Sequence, residues 1–233
     1  MLYNAAALGI VLDLESNTQT FFNLHEDDIT AIDLSPADKM TVATGELGAK
    51  PSIYVWMADT KEVKCRFKGV LTKGVVCLNF TPSGKRLVGG AIDVEHQLAV
   101  FDVSGAGSVV WKDKGGPDVI IDIRCNDEDT FTTIGVKHFY VWVLNNGQIK
   151  KNKGIFGTKS CDKLSGISIS GSDVVCGAAD GSVQVWKGTN ISKEFEKVHT
   201  LACDCITTTK DYLLSGGRDG KIMIYDKSYL KLA

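Results

Sequence analysis

The stretch LSGISISGSDVVCGAADGSVQVWK, residues 164–187, holds three short apolar runs: Leu164 to Ile169, Asp173 to Gly177 and Ser182 to Trp186. β-Branched and aromatic side chains dominate them, and such side chains fit a pleated, half-buried surface. Between the runs stand SGSD and ADG, residue types that accept the tight backbone of turns. Three strands joined by tight turns make a meander, and the third ends on a large aromatic, Trp186.

The same unit recurs in both directions along the chain. Apolar runs end in a large side chain at Leu12, Trp56, Phe101, Trp142, Trp186 and Tyr225. Their spacings are 44, 45, 41, 44 and 39 residues, so the 213 positions between the first and last give a mean of 42.6. That period lies within the ~40–45 of WD-repeat propeller blades and outside the ~34 of helical TPR units. Two further apolar runs precede each later anchor, for example Ile29 to Leu34 with Met40 to Thr44 and Val75 to Phe80 with Arg86 to Gly90. No stretch of helical length carries a 3.6-residue amphipathic period, so the expected fold is all-β, a WD-repeat β-propeller. The repeat predicts one propeller segment over 1–233: a partial blade at 1–24, then full blades at 25–68, 69–112, 113–154, 155–197 and 198–232.

Bulk properties narrow the function. The 26 Lys and Arg face 28 Asp and Glu, for a net charge of −2, which argues against non-specific nucleic-acid binding. The apolar run AAALGIVL has no basic segment before it, and Asp13 and Glu15 follow. It is far shorter than the ~20 residues of a bilayer span, so neither a signal peptide nor a membrane partner is expected. Cysteines at 65, 77, 125, 161, 176, 203 and 205 include no CxxC pair, and reduced core thiols are expected. Cys203 and Cys205, two apart on a strand, would share a face. No phosphate-cradling glycine motif opens a helix, so no cofactor or metal is expected, and Glu26, Asp27 and Asp28 read as a solvated, capped turn.

Blade logic accounts for the conspicuous polar residues. His199, Ser215, Asp219 and Tyr225 fall where WD-repeat blades place a His, a Ser or Thr, a turn Asp and a Trp, and His25, Thr44 and Trp56 fall at the same phase earlier. A Ser, a His and an Asp together invite a catalytic-triad reading. Recurrence at the blade period favours a structural hydrogen-bond set instead, so no catalytic residue is expected and the protein reads as non-enzymatic. Binding would then use the loops at the end carrying the fourth-to-first connections and the second-to-third turns. Lys50, Lys73, His96, Lys137, His138, Lys159, Lys163 and Arg218 are placed there as candidate partner-binding residues, the competing reading of each being a solvated loop cation.

Three segments are more specific than a generic blade. They are LYNAAALGIVLDLESNTQTFFNLHEDDITAIDLSP (2–36), the long insertion ATGELGAKPSIYVW (43–56), and GVKHFYVWVLNNGQIKKNKGIFGTK (135–159) followed by GSVQVWKGTN (181–190). In order and spacing they resemble the propeller portion of the EMAP-like (echinoderm microtubule-associated protein-like) family. The WD dipeptide itself is replaced at every anchor, as in Trp56-Met57, Phe101-Asp102 and Tyr225-Asp226. The resemblance implies a scaffold that binds tubulin, microtubules or other cytoskeletal proteins, in the cytoplasm on the cytoskeleton, and on axonemes in a ciliated organism. Its rival is a general protein-interaction platform for a kinase, a ubiquitin-ligase or an assembly factor. Family propellers close with seven blades, about 300 residues at this period, so the resemblance implies an incomplete ring whose remainder comes from residues outside this chain.

Overall fold

In a computed structural model of the protein, which describes residues 1–156 and 163–232, every regular element is a β-strand. Within each sheet, strands adjacent in sequence pair antiparallel. This up-and-down sheet, repeated along the chain, is the blade of a β-propeller. The chain divides into two compact units, Met1–Pro117 and Asp118–Ala233.

The first unit holds three sheets. They are β1 (Leu2–Ala5), β2 (Leu8–Asp13) and β3 (Thr18–Phe22); β4 (Ile29–Leu34), β5 (Thr41–Glu46), β6 (Ser52–Met57) and β7 (Val63–Lys68); and β8 (Val75–Phe80), β9 (Arg86–Ala91), β10 (Gln97–Asp102) and β11 (Ser108–Lys114). The second unit holds β12 (Ile120–Cys125), β13 (Thr130–Gly135), β14 (His138–Asn145) and β15 (Gln148–Lys153); β16 (Leu164–Ser170), β17 (Asp173–Ala178), β18 (Val183–Lys187) and β19 (Asn190–Phe195); and β20 (Cys203–Thr208), β21 (Tyr212–Gly217) and β22 (Ile222–Asp226). After β22 the fourth-strand position is held by a single bridge, Tyr225 to Lys231, where Tyr229 turns the chain at φ 67°.

One irregularity repeats. In β4, β8, β12, β16 and β20 the register slips just after the first residue, at Ile29/Ala31, Val75/Cys77, Ile120/Asp122, Leu164/Gly166 and Cys203/Cys205. Such a bulge re-aims side chains that strict alternation would put on one face. The expectation that Cys203 and Cys205 share a face fails for this reason: Cys203 is buried and Cys205 exposed, both as free thiols. Burial pushes the Cys203 thiol up to about 12, so it packs as a small hydrophobe.

Sheets within a unit pack at very short range. A Cβ at Gly45 would lie 2.6 Å from Val75 Cβ, and one at Gly177 only 2.4 Å from the Cys203 carbonyl oxygen. Polar ties fix these contacts. Thr30 Oγ1 donates to the Val75 carbonyl at 2.6 Å, Ser165 Oγ donates to the Cys203 carbonyl at 2.9 Å, and Asp33 Oδ2 accepts the Phe80 N–H at 2.8 Å. The anchors fill the space between. Trp56 stacks on Phe22 at 4.5 Å and Trp186 on Phe139 at 3.8 Å, and neither indole is exposed. Each buried aromatic of ~150–250 Å² contributes roughly 4–6 kcal/mol at ~25 cal/mol per Å².

Close approach, rather than strand propensity, sets the glycine requirement in the second strands. Gly177→Ala is expected to destabilise the protein by about 1–3 kcal/mol in urea unfolding, because backbone must shift to admit the methyl. At Gly216, the equivalent position in the next sheet's second strand, a Cβ would meet only Cys205 Cβ at 3.6 Å. Gly216→Ala should therefore change stability by less than about 0.5 kcal/mol.

Candidate functional site

An up-and-down sheet puts its second-to-third turn and its fourth-to-first connection at the same end, and a hydrogen-bonded cluster closes that end. In the sheet β4–β7, Trp56 Nε1 donates to Thr44 Oγ1 at 3.1 Å, and His25 lies between Thr44 Oγ1 and Glu46 Oε2, 2.7 Å from each. Donor and acceptor capacity fixes the direction of the chain. An indole N–H can only donate and a carboxylate can only accept, so Thr44 donates to His25 Nε2 and His25 Nδ1–H donates to Glu46. Glu46 also accepts the Ser52 N–H at 2.7 Å and the Glu26 N–H at 3.0 Å, which pins the long turn between β5 and β6. Burial alone would raise the Glu46 carboxyl, but the Ser52 N–H, His25 and the Glu26 N–H together hold it below its ordinary range. Burial lowers His25 below 6.5 by more than its carboxylate partner raises it, so the imidazole is neutral near pH 7.

The cluster reappears with substitutions. His199 Nε2 meets Ser215 Oγ at 2.9 Å and Nδ1 meets Asp219 Oδ1 at 3.0 Å, while Tyr225 stands at the anchor, its ring 6.0 Å from Phe195. The Thr200 N–H leads the contacts that lower Asp219 to about 2, against opposing burial, with the His199 hydrogen bond adding to them. Ser215 is 1% exposed, so its hydroxyl is closed off from any substrate, and the connectivity of a triad serves here as a strut. In the sheet β8–β11 the set is apolar: Leu71, Gly89 and Phe101 take the places of His25, Thr44 and Trp56. Asp93 there accepts the Glu95 and Gln97 N–H groups at 3.0 and 3.1 Å.

His138 departs from its expected role. It is 1% exposed, and its Nε2 meets Thr133 Oγ1 at 2.7 Å while Trp142 Nε1 donates to the same oxygen at 2.8 Å. The equivalent of His25 in that sheet is Gly116, which has no side chain to offer, and His138 supplies the imidazole from the third strand instead. It is therefore a buried strut and not a partner-binding residue. Alternation along β14, which puts residues 138, 140 and 142 on one face, was the signal for this.

The other candidates separate by their contacts. Lys50, Lys73 and Lys137 are exposed in the loops β5–β6, β7–β8 and β13–β14. Among the described residues they make no ion pair. His96, at φ 49°, donates from Nδ1 to the Gly116 carbonyl at 3.0 Å and serves to tie two loops. Lys163 is half-buried and bridges Val136, Arg218 pairs with Asp204, and Lys159 lies outside the described residues. Acidic groups share this end: Glu26 pairs with Lys68 at 3.0 Å and Glu95 with Lys114 at 2.5 Å. Sequence reasoning passed over Ile92 and Val94, 45% and 89% exposed, which with Thr72 and Lys73 border a recess of about 530 Å³. It also passed over Glu46, concealed inside the insertion 43–56.

Thr44→Val leaves the Trp56 indole N–H and a His25 nitrogen unpaired in the interior. A loss of about 2–5 kcal/mol in denaturant unfolding is expected, at ~1–3 kcal/mol per orphaned group. Acid should act through the same cluster. The His25 pKa is depressed, so its contribution is complete above 6.5 and is lost as pH falls below that value toward the folded pKa. Glu46 and Asp219 add a second loss below 4.5 and 3.8 respectively. Thermal melting should fall from pH 7 to 5, and His25→Gln should flatten that part of the profile.

Residues 18–233 match the family defined as the echinoderm microtubule-associated protein first β-propeller. The ciliary WD repeat-containing protein ctxp80 of Euplotoides octocarinatus is 35% identical over 95% of this chain and 34% of its own length. Echinoderm microtubule-associated protein-like 2 of Mus musculus is 27% identical over 100% of this chain and 38% of its own length. The chain thus spans about a third of the length of the curated relatives it matches. Among solved structures, U3-55K superposes over 100% of this chain and 76% of its own at TM-score 0.79 and 17% identity. The designed protein Ika8 does so over 97% and 70% at TM-score 0.74 and 17% identity, and both likenesses concern the fold alone.

Proposed function

The chain belongs to the echinoderm microtubule-associated protein family, and on that premise we propose that it is a non-enzymatic propeller module that docks on microtubules or another cytoskeletal protein through the loop ends of its sheets. The match over residues 18–233, which spans most of the first unit and the whole of the second, carries this reading. Named relatives described as microtubule-associated and ciliary support a cytoplasmic place on the cytoskeleton, including axonemes.

The loop ends have the properties that docking needs. Rigid strands hold Lys50, Lys73 and Lys137 outward in turns of fixed conformation, Lys73 and Lys137 at φ 67° and 51°. Cations without local partners steer toward an acidic polymer surface even when net charge is −2. The recess beside Lys73, with Ile92 and Val94 exposed, supplies apolar area for one anchoring side chain of a partner.

Co-pelleting with polymerised tubulin at low salt tests this. The wild-type chain is expected in the pellet, with binding that weakens as salt rises. Lys50→Glu with Lys73→Glu and Lys137→Glu should weaken it by roughly tenfold or more, and Val94→Asp should weaken it with little change in salt dependence. If both this chain and the longer protein carrying it stay in the supernatant, the reading fails. A cross-linked partner other than tubulin at these same loops would favour a general interaction platform.

A further inference from the structure

A polar cleft of about 250 Å³ lies at the opposite end of the first unit, among the turns that follow β4, β8 and β10. That is below the ~300–1,000 Å³ of sites for drug-sized ligands, so it suits a small group rather than an extended chain. Ser35, Asp38, Lys64, Gly84, Lys85 and Ser104 line it.

Three observations define what the cleft can hold. Ser35 is 2% exposed, and among the described residues its hydroxyl makes no hydrogen bond. Gly84, at φ 69°, closes on that hydroxyl: a Cβ at 84 would lie 2.5 Å from Ser35 Oγ, so only glycine leaves the oxygen open to the cleft. That hydroxyl is therefore available to donate to an oxygen held in the cleft.

The charges point the same way. Lys64 Nζ is steadied by a hydrogen bond to Thr41 Oγ1 at 3.0 Å, and exposed Lys85 makes no ion pair among the described residues. The one carboxylate lining the cleft is Asp38. Its oxygens already accept the Met40 N–H, the Thr41 N–H and Thr41 Oγ1 at 3.0, 2.9 and 2.6 Å. Two ammonium groups, one committed carboxylate and an open hydroxyl donor suit an oxyanion with several acceptor oxygens and repel a cation.

We infer that this cleft binds a phosphate dianion, with Lys64 and Lys85 meeting its charge and Ser35 donating to one of its oxygens. Its volume also admits the side chain that a phosphate monoester would bring. The inference does not depend on cytoskeletal docking, since the cleft is at the other end of the sheets from the docking loops.

Amide NMR of the full 233-residue chain, titrated separately with O-phosphoserine, inorganic phosphate and serine, tests it. Saturable shifts are expected at Ser35, Gly84, Lys85 and Gly105 with both phosphates and not with serine. Ser35→Ala and Lys85→Gln should each weaken binding roughly tenfold, while Lys112→Gln, exposed on β11 away from the cleft, should leave it unchanged. An unaltered melting temperature in Lys85→Gln would show that folding is intact. Tighter binding of O-phosphoserine than of inorganic phosphate would assign the source to a phosphorylated side chain, and the reverse would assign it to the free anion. No saturable shift, equal shifts with serine, or equal weakening by Lys112→Gln would overturn the inference.

Discussion

A buried indole N–H left without an acceptor costs free energy. At Trp56 that demand is met by Thr44, and the consequence runs outward through the sheet. Because Thr44 accepts from the indole, its own proton turns to His25, and because His25 accepts there, its other nitrogen donates to Glu46. Four side chains, two on β5, one on β6 and one on the connection before β4, are locked by one chain of hydrogen bonds whose direction none of them can reverse. An unmade bond at any point would leave a polar group stranded in a low-dielectric interior, which costs far more than the bond itself contributes.

The sheets solve this constraint differently. One replaces the imidazole's source, taking it from His138 on the third strand when the connection offers Gly116. Another removes the demand, since Phe101 has no N–H and Leu71 with Gly89 can pack against it. A third keeps His199, Ser215 and Asp219 while Tyr225 replaces the indole. In these three sheets a compensating change covers the degeneracy of the repeat, whereas in the sheet β16–β19 the buried Trp186 Nε1 has no hydrogen-bond partner among the described residues.

Locking the loop ends also bears on the docking proposed for them. Glu46 holds the turn that carries Lys50, and His96 ties its own turn to the connection at Gly116. Loops fixed from below present their exposed side chains at little entropic cost on binding. At the other end the Asp38 cap on the β4–β5 turn and the glycine turn at 84 shape the polar cleft by the same means, backbone held by side-chain acceptors.

The sequence alone determined the all-β blade repeat, its period and the family, because strand alternation, turn chemistry and a recurring anchor are local properties that survive in one dimension. It also determined that His25, Thr44, Trp56, His199, Ser215 and Asp219 stand at equivalent phases. What only the tertiary structure decided was which groups meet. Glu46 meets His25 of the connection before β4, His138 turns inward, Cys203 and Cys205 part at a bulge, and Arg218 is neutralised by Asp204. Each of these depends on a register slip or on the packing of one strand against another. Such events decide which side chains meet, and apart from the alternation along β14 the spacing along the chain does not encode them.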